Sequence, residues 1–195
     1  MEDFFGDLQR EPERGQIRSH GVRYMLMRTD SMSIELHAEL RKTFGEAGAR
    51  QIRYKLAKSC GMQDARMFAE RLQIEDPTMR LALGPVHFAH VGWANVDIFP
   101  ESTPEPSEHY FLAYDHPYSF EAASHMDHGI VSEHPVCFMN AGYSTGWCQV
   151  SFGVDLKAEE LTCRARGDEQ CIFVMAHPRN FERLRDDFKR QRGID

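Results

Sequence analysis

The sequence predicts an α+β fold in which helices pack on an antiparallel sheet. Apolar positions recur at helical spacing through much of the first half of the chain. Two pairs of segments rich in aromatic and β-branched residues follow, each pair joined by turn-forming residues. The helical segments lie before, between and after these pairs, which argues against a βαβ series. A length of 195 residues suits one domain with one core.

The first half is predicted to be mostly helical. Residues 1–20 are polar and are interpreted as a loose arm that packs on a partner subunit. A strand is predicted from Val22, and Asp30 or Ser31 is a candidate N-cap for the helix after it. Two further helices are expected before residue 73. Glycines are predicted to separate these helices: Gly45, Gly48 and Gly61.

The second half is predicted to supply the sheet. Residues 85–99 and 109–114 are expected to pair as antiparallel strands, as are residues 157–166 and 170–175. Helices are expected between the two pairs. Their start signals are Ser119, an N-cap residue, and Pro135, which suits a first turn. The last segment, 178–195, is predicted to be an amphipathic helix.

Composition excludes several classes of function. The formal net charge of −7 disfavours direct nucleic-acid binding, because phosphate contacts need clustered Lys and Arg. No 18-residue apolar stretch and no signal peptide are seen, so no membrane association and a cytoplasmic location are expected. The chain has no GxxxxGK[ST] phosphate loop.

Three cysteines and a glutamate form a candidate metal site. Cys163 and Cys171 flank the turn of the last hairpin, where a single ion could clamp both strands. Glu160 precedes Cys163 by three residues, and Cys137 lies in the first turn of the preceding helix. The alternative is that these cysteines are buried core thiols without a metal. The remaining two cysteines are expected to be core thiols: Cys60 and Cys148.

The stretches PVCFMNAGYSTGW and EELTCRARGDEQC resemble the 4-vinyl reductase module of the xylene- and phenol-responsive activators of aromatic catabolism. The resemblance covers about residues 20–177. It implies an effector-binding half at residues 21–115 and a zinc-binding half at residues 116–177. It also implies a homodimer, a small apolar or aromatic ligand above a structural zinc ion (Zn²⁺), and a fold like that of NO-signalling and Golgi-transport ligand-binding domains. The matching positions are Cys137, Gly142, Tyr143, Gly146, Trp147, Glu160, Cys163, Gly167 and Cys171.

The same resemblance marks candidate ligand-binding residues. Phenol sensors of this family carry a His after Gly-Pro and a Trp in the next strand. Here Phe88 and Ala113 occupy the aligned positions, so phenol specificity is not carried over. Trp147 is the favoured pocket aromatic, although most of these rings would also suit a core. The full predicted set is His87, Phe88, Trp93, Tyr114, Tyr143 and Trp147.

Two other functions stay open at this point. The first is an enzyme or substrate carrier that uses acid–base residues near the first strand pair. A zinc ion with four protein ligands has no open position for a substrate, which counts against metal catalysis. The second is a pure assembly subunit like the related vesicle-tethering proteins. The residues that would serve an enzyme are His87, His90, His109, His116, Glu108 and Asp115. The favoured interpretation is a regulatory sensing domain without its own ATPase or DNA-binding domain, either stand-alone or part of a longer chain.

Overall fold

The computed structural model describes Gly6, residues 8–19 and residues 21–194. Near its start, three short strands form an antiparallel sheet: β1 (Gln9–Glu11), β2 (Gln16–Ser19) and β3 (Val22–Tyr24). The part of the predicted loose arm that is described is therefore ordered as two strands of this sheet, although it packs no large apolar side chain into the core.

The first half is dominated by one long helix. The Asp30 carboxylate accepts a hydrogen bond from the Ser31 N–H and begins a π-helical turn, Ser31–Glu35, that leads into α1 (Leu36–Leu72). Gly45 alone leaves helical geometry, with φ 71° and ψ 173°, so the predicted division at Gly48 and Gly61 is wrong. A positive φ with an extended ψ is essentially restricted to glycine, which explains the break at that position.

The sequence prediction differs most from the structure at helix α2 (Pro77–His90). Residues 85–90, predicted as the start of a strand, form its last turns, and only β4 (Asp97–Ile98) is extended within residues 85–99. The Asp76 side chain accepts the Met79 N–H at 2.7 Å, and Pro77 occupies the first turn. These are strong start signals for a helix, and they outweigh the β-like composition of the segment.

The main sheet has four antiparallel strands in the order β4-β5-β7-β6. The strands are β5 (Phe111–Asp115), β6 (Lys157–Glu160) and β7 (Ile172–Ala176), with β4 at one edge. Every residue of β5 and β7 is buried, because helices cover both faces. The α+β prediction is confirmed, as is the last hairpin, although its first strand is shorter than predicted.

A different helix packs on each face of the sheet. On one face Leu112, Tyr114 and Phe173 pack with α4 (Phe138–Phe152). On the other face Phe111 and Val174 pack against the closing helix α5 (Phe181–Arg192). A short helix, α3 (Phe120–Asp127), joins β5 to the loop before α4, and the Ser119 hydroxyl caps it as predicted.

Helices α1 and α4 cross at backbone contact distance. A Cβ at Gly61, Gly142 or Gly146 would lie only 2.1–2.2 Å from a carbonyl oxygen of the facing helix. Only glycine permits such an approach, and the crossing holds α4 against α1 along the side that carries Tyr143 and Trp147. None of the described helices is both long enough and apolar enough to cross a lipid bilayer.

Candidate metal centre and ligand cavity

The structure brings the four predicted metal ligands together. One donor atom each from Cys137, Glu160, Cys163 and Cys171 lies within 4.8 Å of the other three. Cys137 immediately precedes α4, Glu160 ends β6, and Cys171 immediately precedes β7. The cluster therefore ties the start of α4 to both strands of the hairpin.

The hairpin loop orients two of the cysteines. The Cys163 N–H donates to the Asp168 carboxylate at 2.8 Å, and a short 3₁₀ turn, Arg164–Arg166, ends at Gly167 with φ 102°. The Arg164 N–H points at the Cys171 sulfur, 3.4 Å away. The loop thus folds back so that Cys163 and Cys171 face the same point.

Glu160 supplies the clearest sign that this cluster suits a cation. Its Oε2 accepts the Cys137 N–H at 2.8 Å, while its buried Oε1 has no hydrogen-bond partner. A buried carboxylate oxygen without a partner is costly. A metal ion among the three sulfurs would satisfy this oxygen.

The electrostatics agree with the geometry. Burial, and then the hydrogen bond with Cys163, raises the pKa of the Cys137 thiol, and burial raises the pKa of the Glu160 carboxyl well above its ordinary range. Hydrogen bonds from Cys137 and Cys163 lower the pKa of Cys171 to about 5. Acidic groups crowded in a buried space need either protons or a cation, so this donor set fits a metal ion.

The two remaining cysteines lie outside this cluster. Cys148 is buried, as expected of a core thiol. Cys60 is exposed on α1, so its assignment to the core is wrong. The helix turns that residue toward solvent, while Ala57 and Gly61 face the interior.

A small cavity lies between α2, the β4–β5 edge of the sheet and α4. Its open space is about 30 Å³, which is room for about one water molecule. Helix α4, which lines one side of the cavity, begins directly after Cys137. Phe173 of β7, the strand that follows Cys171, stacks on Tyr114 of the cavity wall with ring centroids 5.3 Å apart. The lining residues are Leu81, Gly84, Pro85, Phe88, Val96, Ile98, Leu112, Tyr114, Tyr143, Ser144, Trp147 and Cys148.

The cavity wall is almost entirely apolar. The Trp147 Nε1–H donates to the Arg80 carbonyl at 2.9 Å, and the Tyr143 hydroxyl donates to Asp64 at 2.7 Å, so both polar groups are already used. The Tyr114 hydroxyl is buried and makes no hydrogen bond of good geometry, although Ser144 lies close to it. Burial raises its pKa well above the ordinary value, so the phenol stays neutral.

Four of the six predicted ligand-binding residues line this cavity, namely Phe88, Tyr114, Tyr143 and Trp147. The other two lie behind the wall. The His87 ring stacks on Trp147 at 5.8 Å, with Nδ1 bonded to the Tyr143 hydroxyl at 2.8 Å, and Trp93 packs 4.9 Å from Tyr143. Residues 85–90 are helical rather than extended as predicted, so helix geometry sets which of His87 and Phe88 faces the cavity.

The six residues considered for acid–base chemistry do not converge. His90 is exposed at the end of α2, and Glu108 and His109 are exposed in the loop before β5. The other three, His87, His116 and Asp115, are buried, and the Asp115 carboxylate accepts the Cys171 N–H at 2.9 Å. Among the described residues that line the cavity, none belongs to this set.

Comparison with known proteins identifies the family. The sequence pattern of the family described as activator of aromatic catabolism matches residues 3–101, and that of the vinyl-4-reductase domain matches residues 110–176. The chain belongs to the family of activators of aromatic catabolism. This confirms the resemblance that the sequence motifs carried.

Individual relatives of this family member are distant. It is 23% identical over 174 residues to the phenol regulator MopR of Acinetobacter guillouiae, covering 89% of this chain. The chain spans about a third, 31%, of the length of that relative.

Solved structures show the same fold. The phenol-responsive sensory domain of the transcription activator PoxR, solved with phenol, matches with a TM-score of 0.78 and 23% identity, over 90% of this chain and 87% of that one. Trafficking protein particle complex subunit 3 of Naegleria fowleri, bound to palmitic acid, matches with a TM-score of 0.51 and 11% identity, over 76% of this chain and 93% of that one.

Several cavity residues of this aromatic-catabolism family member were missed by sequence reasoning. Leu112 shares a strand face with Tyr114, and a two-residue period along a strand could have revealed it. Ser144 and Cys148 follow Tyr143 and Trp147 by one position each, so the same helix face carries all four. The missed α2 residues, Leu81, Gly84 and Pro85, had no such signal, because no helix was predicted there.

Proposed function

We propose that this chain is a sensing domain for a small, neutral aromatic compound, acting in regulation through a pocket that zinc helps to hold. The observation that carries the proposal is the small apolar cavity lined by Tyr114, whose buried hydroxyl makes no hydrogen bond of good geometry. Membership of the family of activators of aromatic catabolism supports it, as does the similarity to a sensory domain solved with phenol.

The wall chemistry defines the class of ligand. An apolar ring gains free energy by leaving water, at about 25 cal/mol per Å² of buried surface. One hydroxyl on that ring could exchange hydrogen bonds with Tyr114 and Ser144. No Lys or Arg lines the cavity among the described residues, so a carboxylate would be buried without a countercharge. The expected ligand is a hydroxylated aromatic without a charged group.

Ligand binding must enlarge the cavity, because about 30 Å³ cannot hold a benzene ring. The aromatic side chains Phe88 and Trp147 separate the cavity from the rest of the core, so their displacement moves α2 relative to α4. A ligand that favours the enlarged state shifts the population toward it. That rearrangement is the proposed signal.

The ligand experiment compares two tyrosines. Both Tyr114 and Tyr110 are buried and neither hydroxyl makes a hydrogen bond of good geometry, but only Tyr114 lines the cavity. Calorimetric titration with phenol should show roughly tenfold weaker binding to Tyr114→Phe, which is about 1.4 kcal/mol. Tyr110→Phe should bind phenol like the unchanged protein. Toluene, which lacks a hydroxyl, should bind both variants alike.

Two results would contradict this class of ligand and the role of Tyr114. One is binding of benzoate as tight as that of phenol, which would place a countercharge near the ligand. The other is equal weakening of phenol binding in both variants, which would indicate a general loss of packing. No saturable binding of any neutral aromatic compound would reject the sensor function itself.

We propose zinc as the ion held by Cys137, Glu160, Cys163 and Cys171. Thiolates are soft ligands that select zinc, and four protein ligands are typical of a structural site. The ion would lock α4 to the last hairpin and so fix one side of the cavity.

Elemental analysis tests the zinc assignment directly. The purified protein should contain about one zinc per chain. Cys171→Ser should lose most of it, whereas Cys60→Ser, which removes an exposed thiol on α1, should keep it. Full zinc content in Cys171→Ser would reject this ligand set.

The sequence resemblance also implies a homodimer, and that stays a prediction. Light scattering after size-exclusion chromatography measures the mass of the particle in solution.

A further inference from the structure

We propose that Ser119 is a positioning residue of the metal centre, whose hydroxyl donates a hydrogen bond to the Cys137 sulfur. The two atoms, Oγ and Sγ, lie 3.1 Å apart, and both side chains are buried. The proposal rests on the metal site described above, because it assigns a role toward a ligand of that site.

The direction of this hydrogen bond follows from the other partners of Ser119. The Asn140 Nδ2–H₂ group donates to Ser119 Oγ at 2.8 Å, and the Ala122 N–H approaches the same oxygen at 3.5 Å. Both partners are donors, so they occupy the acceptor sites of the hydroxyl. A serine hydroxyl has a single hydrogen. That hydrogen is left for the sulfur of Cys137, which acts as the acceptor.

The surrounding structure holds this arrangement rigidly. Ser119 caps α3, and Asn140 lies in the first turn of α4, so the hydrogen bond between them links the starts of two helices. The Glu121 carboxylate accepts the N–H groups of Met139 and Asn140 at 3.1 and 2.8 Å. The same carboxylate pairs with Arg53 of α1 at 2.6 Å. Cys137 immediately precedes this first turn of α4, which these hydrogen bonds hold in place.

Two of the polar contacts of Cys137 hold different atoms of the residue. Its backbone N–H is fixed by Glu160 Oε2, and its sulfur is fixed by the Ser119 hydroxyl. A donor to a thiolate survives metal binding, because a sulfur ligand keeps lone pairs that do not face the ion. Ser119 thus directs the Cys137 sulfur toward the other three ligands, in the way that hydrogen-bonding neighbours of metal ligands tune a site.

The test removes the hydroxyl and then restores it. Ser119→Ala lacks the donor, whereas Ser119→Thr keeps an O–H on the same carbon. Ser124→Ala is the matched control, because Ser124 lies in the helix that Ser119 caps, is also buried, and donates to the Phe120 carbonyl at 2.7 Å. Zinc affinity is measured by competition with a chromophoric chelator. The Co²⁺-loaded proteins report on the thiolates through their sulfur-to-cobalt charge-transfer band.

Ser119→Ala should bind zinc roughly 10- to 100-fold more weakly. Its charge-transfer band should move to longer wavelength, because a thiolate without a hydrogen bond holds its electrons at higher energy. Ser119→Thr should recover both properties, and Ser124→Ala should match the unchanged protein. Asn140→Asp provides a second variant if Ser119→Ala fails to fold. It keeps Ser119 but draws the hydroxyl proton to the new carboxylate, so the same band shift is expected.

Three outcomes would overturn the proposal. The first is a zinc affinity and cobalt band in Ser119→Ala equal to those of the unchanged protein. The second is equal loss in Ser119→Ala and Ser124→Ala, which would indicate a packing or capping effect alone. The third is that the protein without any substitution binds neither Zn²⁺ nor Co²⁺, which would contradict both the metal site and the role of Ser119. In the first two outcomes the metal site itself stands.

Discussion

Substitution of Gly146 by alanine tests the contact between α1 and α4. A Cβ at this position would lie 2.1 Å from the Lys58 carbonyl oxygen and 2.9 Å from the Met62 nitrogen. Ordinary van der Waals contact begins at 3.4 Å, so the added methyl group is about 1.3 Å too close to the oxygen. Both atoms belong to the backbone of a helix, which cannot rotate away as a side chain could. The helices must separate.

The expected loss of stability is the cost of overpacking minus the gain in helix propensity. Overpacking of a core typically costs about 1–3 kcal/mol, and a backbone clash of this size belongs at the upper end. Alanine favours the helix over glycine by about 1 kcal/mol. The net loss in the free energy of unfolding is therefore about 2 kcal/mol, which lowers the melting temperature of a chain of this length by roughly 4–8 °C.

Thermal and urea denaturation of Gly146→Ala would measure this loss. Ser59→Ala, on the exposed side of α1, is the control, since it improves helix propensity without meeting another helix. Because α4 begins at the metal centre and carries Tyr143 and Trp147, weaker ligand binding should accompany the loss of stability. A Gly146→Ala protein as stable as the control would refute the close approach of the two helices.

Three further predictions follow from buried groups. Burial lowers the pKa of His87 from 6.5 to about 4, so between these pH values the unfolded chain takes up a proton that the folded chain does not. The free energy of unfolding should therefore fall by about 3 kcal/mol as the pH drops from 6.5 to 4. Urea denaturation at a series of pH values measures this fall, and the contribution of His87 to it should vanish in His87→Asn. Arg53→Met leaves the buried Glu121 carboxylate without its cation and should lower the free energy of unfolding by roughly 3–5 kcal/mol. Arg183→Met, which removes one partner of an exposed ion pair, should lower it by less than about 1 kcal/mol. Equal losses of stability in denaturation curves would contradict the role of the buried pair. Removal of the metal by a chelator should lower the melting temperature and weaken phenol binding together, and phenol binding that survives full metal removal would separate the cavity from the centre.

Some features of the site follow directly from local sequence. The spacing of Cys163 and Cys171 about Gly167 predicted that the two cysteines lie close together, and the structure places both in the loop that joins β6 to β7. Glu160 and Cys137 were predicted to join them, and the structure shows all four donors within reach of one ion. The helix cap at Ser119 was also predictable, because capping depends on residues within one turn.

Other features depended on contacts between distant segments. The composition of residues 85–90 suited a strand, and short apolar runs are ambiguous between strand and helix. The segment is helical because Asp76 and Pro77 start a helix whose buried face meets Trp147 of α4. Once that segment is helical, His87 turns behind the cavity wall and Phe88 lines it.

The sequence by itself determined the sheet strands β5 and β7 and the closing helix, because these depend on short-range patterns. The four candidate metal donors were marked by their motif resemblance, since spacing alone also allowed metal-free core thiols. The tertiary structure decided which aromatic rings face the cavity, how closely α1 approaches α4, and which atom receives the Ser119 hydroxyl hydrogen. Those outcomes depend on the relative placement of helices that are far apart in the chain, and glycine contacts of 2.1–2.2 Å with opposing backbones leave that placement little freedom.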